Sequence, residues 1–191
     1  MRTISRLIYF IIGWKYEGDV PKDITKAVLL LAPHTSNMDF YVGRLYCWIK
    51  GIPIKLLIKK EAFDGPLGGL LKKAGGIPID RSRATSKVIQ VANMFKEYDP
   101  MLLGIAPEGT RKLSKRWKMG FYHIAVQANV PILLSYFDYK RKVAGIGPPF
   151  YPTGDVDKDM KYIEDFYRER TAKYPEHFNL SPMYTDSDTS K

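Results

Sequence analysis

A polar run, Pro33-His34-Thr35-Ser36-Asn37-Met38-Asp39, follows directly on the apolar stretch 27–32, and core packing gives no reason for it. With His34 on a loop and Asp39 in the first turn of a following helix, the five-residue separation can return the carboxylate to the imidazole. A carboxylate on one ring nitrogen fixes the tautomer and raises the basicity of the other, so His34 is a candidate general base. Spacing alone leaves a second reading open, an acidic residue near a helix N-terminus beside a loop histidine.

Two more clusters sit just past strand-like runs. Gly75-Gly76-Ile77-Pro78-Ile79-Asp80-Arg81 ends in an arginine beside a carboxylate, and Ala106-Pro107-Glu108-Gly109-Thr110-Arg111-Lys112 ends in one beside a glycine that lets a ligand approach the backbone. Arg81 and Arg111 can form a fork for a phosphate, with Lys112, Lys115, Arg116 and Lys118 adding positive charge. Taken singly, Asp80–Arg81 reads equally well as a surface ion pair and 107–110 as a turn. Cys47, amid Tyr46, Trp48 and Ile49, reads as a core thiol rather than a catalyst.

The elements that must hold these clusters are legible from hydrophobic patterning. Apolar runs at 27–32, 54–58, 76–79, 101–106, 131–137 and 142–146 read as strands, most of them buried on both faces. Helical stretches lie between them at about 38–50, 67–73, 86–98 and 120–128, the last with Asn129 as its stop, and a longer polar helix is expected over 157–174. This alternation predicts a single α/β domain, a mixed but mostly parallel sheet flanked by helices, with sites beyond the carboxyl ends of the strands. The expected division is an N-terminal helix in 1–20, the main domain in 21–178 and a flexible tail in 179–191.

In order and separation the clusters resemble a known family. His34 with Asp39, Gly76-Ile77-Pro78-Ile79-Asp80-Arg81, Pro107-Glu108-Gly109-Thr110-Arg111 and Val130-Pro131-Ile132 resemble the four sequential blocks of the glycerophosphate acyltransferase superfamily, and most nearly its 1-acyl-sn-glycerol-3-phosphate acyltransferase branch. The resemblance runs from about residue 27 to 149 and implies an acyltransferase-like fold. It implies that His34 takes the proton of an acceptor hydroxyl, which then attacks the thioester of acyl-CoA or acyl carrier protein, while Asp39 orients His34. It further implies that Glu108, Gly109, Thr110 and Arg111 line the acceptor site, Arg111 and Arg81 holding the phosphate of a lysophospholipid. A thioester is already activated, so no enzyme nucleophile, bound cofactor or metal is called for. Pro33, Pro78, Ala106 and Leu134 depart from the usual blocks, which keeps O-acylation of a lyso-aminolipid open as an alternative.

Charge and composition set the partners. The net charge of +10 is uneven: ten Lys/Arg face four Asp/Glu through residue 60, eleven face six through residue 120, and nine face ten thereafter. Such a basic front calls for an anionic partner, a membrane surface or a phosphate-bearing molecule. A nucleic-acid module would also be basic, but no zinc-finger spacing, basic heptad helix or ribonucleoprotein signature is present, so no nucleic-acid partner is expected. Three histidines, at 34, 123 and 177, without a His-x-His or His-x-x-x-His pair give a thin ligand set for a metal hydrolase using His34, Asp39 and Glu108. The apolar run Leu7 to Ile12, between Arg6 and Lys15, is too short to span a bilayer of about 30 Å. It reads either as an interfacial anchor or as a helix packed on the core. The anchor reading implies peripheral or monotopic attachment to an anionic membrane, on its cytoplasmic face.

Overall fold

The structure, a computed structural model, describes residues 1–66, 68–79 and 87–180. The chain runs α1 (Arg2–Ile11), β1 (Lys15–Glu17), β2 (Lys26–Ala32), α2 (Asn37–Lys50), β3 (Ile54–Lys59), a 3-10 turn (Lys60–Phe63), α3 (Gly68–Lys73), β4 (Gly76–Ile79), α4 (Lys87–Glu97), β5 (Met101–Ile105), α5 (Gly120–Ala128), β6 (Ile132–Asp138), β7 (Val143–Phe150), α6 (Val156–Arg168) and a last 3-10 turn (Pro175–His177). The strands form one seven-stranded sheet in the order β1-β7-β6-β2-β5-β3-β4. Every pairing is parallel except β6 with β7.

Strand alternation divides the core. On β2, Val28, Leu30 and Ala32 join a cluster with side chains of α4, α5 and α6, whereas Ala27 and Leu29 join a second cluster with α1 and α2. Both faces of the central strands are therefore covered, which is why they read as unbroken apolar runs. Each fully buried Leu, Ile or Val contributes about 1.5–3 kcal/mol relative to exposure, so this two-sided core dominates the stabilisation.

Local chemistry sets where the helices start and stop. Ser36 caps α2 with its side chain on the Met38 amide, Asp39 reaches back to the Ser36 amide, and Gly51 closes the helix at φ 73°. Asn129 ends α5 in the same left-handed conformation. The last helix is shorter than the sequence suggests, stopping at Arg168 rather than near 174. Residues 169–174 are drawn instead across the carboxyl end of the sheet, where the Tyr139 amide donates to Thr171 O and the Tyr174 amide to Thr35 Oγ1. The exposed three-residue β1 carries no periodicity and was not expected; its register comes from β7.

The N-terminal helix packs on the core. Tyr9 is buried and its hydroxyl donates to Val42 O on α2, while Ile4, Leu7, Phe10 and Ile11 on other sides of α1 are exposed. No helix among the described residues is long and apolar enough to cross a membrane. Residues 181–191, nearly all of the expected tail, lie outside the described residues.

Candidate active site

The site is built where β2 gives way to α2. The same capping that starts α2 brings Asp39 back over the loop: its Oδ2 accepts from the Thr35 and Ser36 amides, each at 2.8 Å, and lies 3.3 Å from His34 Nδ1. A helix cap has thus become the arm that holds the imidazole. Asp39 is only 1% exposed, so these donors replace the water a buried carboxylate would otherwise lack. With Nδ1 turned to Asp39, Nε2 is the nitrogen left for a reacting group.

Across the carboxyl end of the sheet, the loop after β5 locks the histidine from the other side. Glu108 Oε1 accepts the His34 amide at 2.9 Å. At 3% exposure the Glu108 carboxyl lies beneath the His34 loop and is not part of the cavity wall, whereas Gly109, Thr110 and Arg111 are on that wall. Burial pushes the Glu108 carboxyl up to about 7, against the opposing pull of the His34 and Glu108 amides. Between its ordinary value of 4.5 and about 7 the folded protein keeps a proton that the unfolded chain has released. That stabilisation is complete below about 4.5 and is lost as pH rises to about 7. Glu108→Gln keeps an acceptor for the His34 amide but removes the titration. Its melting temperature is expected to fall less than that of the wild type between pH 4.5 and 7, and parallel thermal-unfolding curves across that range would contradict this placement.

Gly109 takes φ +65°, a conformation that side chains disfavour, and a Cβ there would come 2.7 Å from Lys118 Nζ. The glycine therefore lets the Lys118 ammonium fold down onto the loop, whose shape is kept by the Lys118 amide donating to Pro107 O. Arg111, Lys112 and Lys118 all line the cavity, and none has a carboxylate partner among the described residues. Arg81 lies outside the described residues, so the second arm of the expected fork is not placed. Arg44, on α2, is a cavity-lining cation that sequence patterning did not single out.

His34 opens into a cavity of about 1080 Å³ that is mostly apolar. Its inner wall uses Leu31, Gly43, Cys47, Leu56 and Gly104, between α2 and the sheet. A Cβ at Gly104 would meet the tips of Ile54 and Leu56 at 2.9 Å, so the missing side chain lets these residues close over β5 at the floor of the cavity. Burial pushes the Cys47 thiol up to about 12, which leaves it protonated and agrees with its reading as a core residue. Among the described residues no group of three or more His, Cys, Asp or Glu side chains is placed to hold a metal ion.

A histidine held by a buried carboxylate at the mouth of an apolar cavity, with cations on the rim, suits chemistry on a hydroxyl of an anionic amphiphile. A family model described as Acyltransferase matches residues 15–135, well over half of the chain. The chain belongs to the acyltransferase family. Two 1-acyl-sn-glycerol-3-phosphate acyltransferases, from Limnanthes alba and Limnanthes douglasii, are each 29% identical to it over 137 residues, covering 68% of this chain and 47% of theirs. The acyltransferase chain thus spans about half the length of the curated relatives it matches. Its fold is similar to the crystal structure of the 1-acyl-sn-glycerophosphate (LPA) acyltransferase PlsC from Thermotoga maritima, at a TM-score of 0.60 and 18% identity over 90% of this chain and 80% of that one. That likeness confirms the acyltransferase architecture expected from the sequence, a mostly parallel sheet flanked by helices.

Proposed function

We propose that the protein is an O-acyltransferase that moves a fatty acyl group from an acyl thioester, acyl-CoA or acyl carrier protein, to the free hydroxyl of 1-acyl-sn-glycerol-3-phosphate, giving phosphatidic acid. The observation that carries this reading is the His34–Asp39 pair at the mouth of an apolar cavity rimmed by Arg111, Lys112 and Lys118. The names of the two plant relatives support the same acceptor.

The steps follow from the groups present. His34 Nε2 removes the acceptor hydroxyl proton as its oxygen attacks the thioester carbonyl, and Asp39 stabilises the imidazolium that forms. The tetrahedral intermediate collapses by breaking the carbon–sulfur bond, and the thiolate takes the proton back from His34. Atoms and charge balance with no acyl-enzyme and no bound cofactor. Arg111, with Lys112 and Lys118, engages the acceptor phosphate, and the apolar cavity receives a fatty chain. Purified protein given lysophosphatidic acid with a long-chain acyl-CoA or acyl carrier protein thioester is expected to form phosphatidic acid. Exclusive use of a lyso-aminolipid would move the acceptor, and no product from any of these pairs would overturn the reading.

The same reading assigns a peripheral station on the anionic cytoplasmic leaflet. Phe10 and Ile11 are 82% and 71% exposed on α1, with Arg6 one turn before Phe10, and Met38, Phe40 and Tyr41 are exposed at the start of α2 beside the site. Inserting one such ring in the interface is worth about 1.5–3 kcal/mol. Phe10→Ser is therefore expected to weaken binding to phosphatidylglycerol-containing vesicles about tenfold or more, and salt to weaken the wild type. Unchanged vesicle co-sedimentation in both cases would contradict the docking face.

A further inference from the structure

We infer that Tyr139 is a positioning residue of the transfer reaction: its hydroxyl donates to Asp39 Oδ1 at 2.6 Å, the one carboxylate oxygen that the His34 loop does not engage. This deepens the acyltransferase reading and rests on it. Three groups share Asp39 Oδ2: the Thr35 amide, the Ser36 amide and His34 Nδ1. A carboxylate held through one oxygen can still turn about its Cβ–Cγ bond, and that rotation swings Oδ2 away from the imidazole. A donor on the second oxygen fixes the plane, and with it the direction in which His34 points Nε2.

Tyr139 is itself held from three parts of the chain. Its amide donates to Thr171 O in the segment after α6 at 2.9 Å, and it sits on the turn between β6 and β7. Its ring meets Trp14 edge-on, centroids 5.0 Å apart and planes at 87°, and Trp14 in turn meets Tyr9 of α1 at 6.3 Å. Burial, then the hydrogen bond and charge of Asp39, push the Tyr139 hydroxyl well above its ordinary range, so it stays a donor at every working pH. Among the described residues, Glu108 holds the His34 amide, and Tyr174 and Tyr9 act on Tyr139.

A tyrosine that merely fills space beside a buried carboxylate would matter for stability alone, and a double-mutant cycle separates the two roles. Tyr139→Phe keeps the ring on Trp14 and removes only the donor. It is expected to lower kcat about tenfold, equivalent to about 1.4 kcal/mol of transition-state stabilisation, with both KM values near those of the wild type and a lower melting temperature, because the buried Asp39 Oδ1 loses its donor. In an Asp39→Asn background the same change is expected to do little more. Equal losses in both backgrounds, or an undiminished kcat, would overturn the proposal. A second readout needs no turnover: the His34 imidazole is followed by NMR titration, its signal assigned by its loss in His34→Ala. Without the Tyr139 donor, more of the Asp39 charge falls on the imidazole, so the midpoint is expected to move to higher pH in Tyr139→Phe but not in the Asp39→Asn background. If the wild type proves inactive in acyl transfer, the reaction assigned above fails, and this titration still decides the role of Tyr139: an unmoved midpoint overturns it.

Discussion

Asp39→Asn is expected to slow acyl transfer by about 10²–10⁴-fold while leaving the KM values of donor and acceptor close to those of the wild type. The carboxylate receives Thr35 N–H, Ser36 N–H and His34 Nδ1 on one oxygen and Tyr139 O–H on the other. An amide offers only one acceptor oxygen: turned toward Thr35, Ser36 and His34 it leaves its NH2 to donate to the Tyr139 oxygen, and the phenol proton that fixed the carboxylate plane loses its acceptor. The amide also carries no charge to stabilise the imidazolium formed as the acceptor proton leaves. Neither loss touches the cations on the rim or the apolar wall, which is why binding is expected to survive. Steady-state kcat and KM for both substrates check this, and a change confined to KM would show that Asp39 does not act through His34.

Arg111→Ala is expected to lower kcat/KM for a phosphate-bearing lysolipid by about 10- to 100-fold, mostly through KM, with little effect on residual transfer to a monoacylglycerol. Hydrogen bonds to charged groups contribute about 1.5–3 kcal/mol, and each 1.4 kcal/mol is a factor of ten. Arg111 lines the cavity, is exposed, and has no carboxylate partner among the described residues, so its guanidinium is free to meet a phosphate in two-point fashion. Arg111→Lys should recover part of the loss, because it restores charge without the fork. Comparing the two acceptors across the three proteins checks this. A parallel fall for both acceptors would show that Arg111 shapes the loop rather than recognising phosphate.

The parts of this site that could be read from the sequence are those written locally. The His34–Asp39 separation coincides with a helix cap of fixed geometry, so spacing made the contact possible while leaving open an acidic residue near a helix N-terminus beside a loop histidine. The central strands were legible because burial on both faces leaves apolar runs; β6 is buried at every position. The parts that could not be read depend on distant chain segments. Tyr139 lies 100 residues from Asp39, in a polar turn no different in composition from a solvated one. The helix α6 ends before the expected residue 174 because residues 169–174 exchange helical hydrogen bonds for contacts with Thr35 and Tyr139, a competition decided by tertiary structure. Glu108 was placed in the right loop, but a loop's sequence does not say which side chain turns inward, and this one turns under His34. Of the two readings of the N-terminal helix, the structure shows packing on the core through Tyr9; Phe10 and Ile11 stay exposed, and the docking face proposed above rests on them.

The role of His34 as the base for acyl transfer to a lysophospholipid hydroxyl is tested by measuring phosphatidic acid formed from lysophosphatidic acid and a radiolabelled long-chain acyl thioester, with wild type and His34→Ala compared at equal folded concentration. Labelled product from the wild type and a rate at least about 10²-fold lower from the variant is the result expected. Equal rates from the two proteins would contradict it.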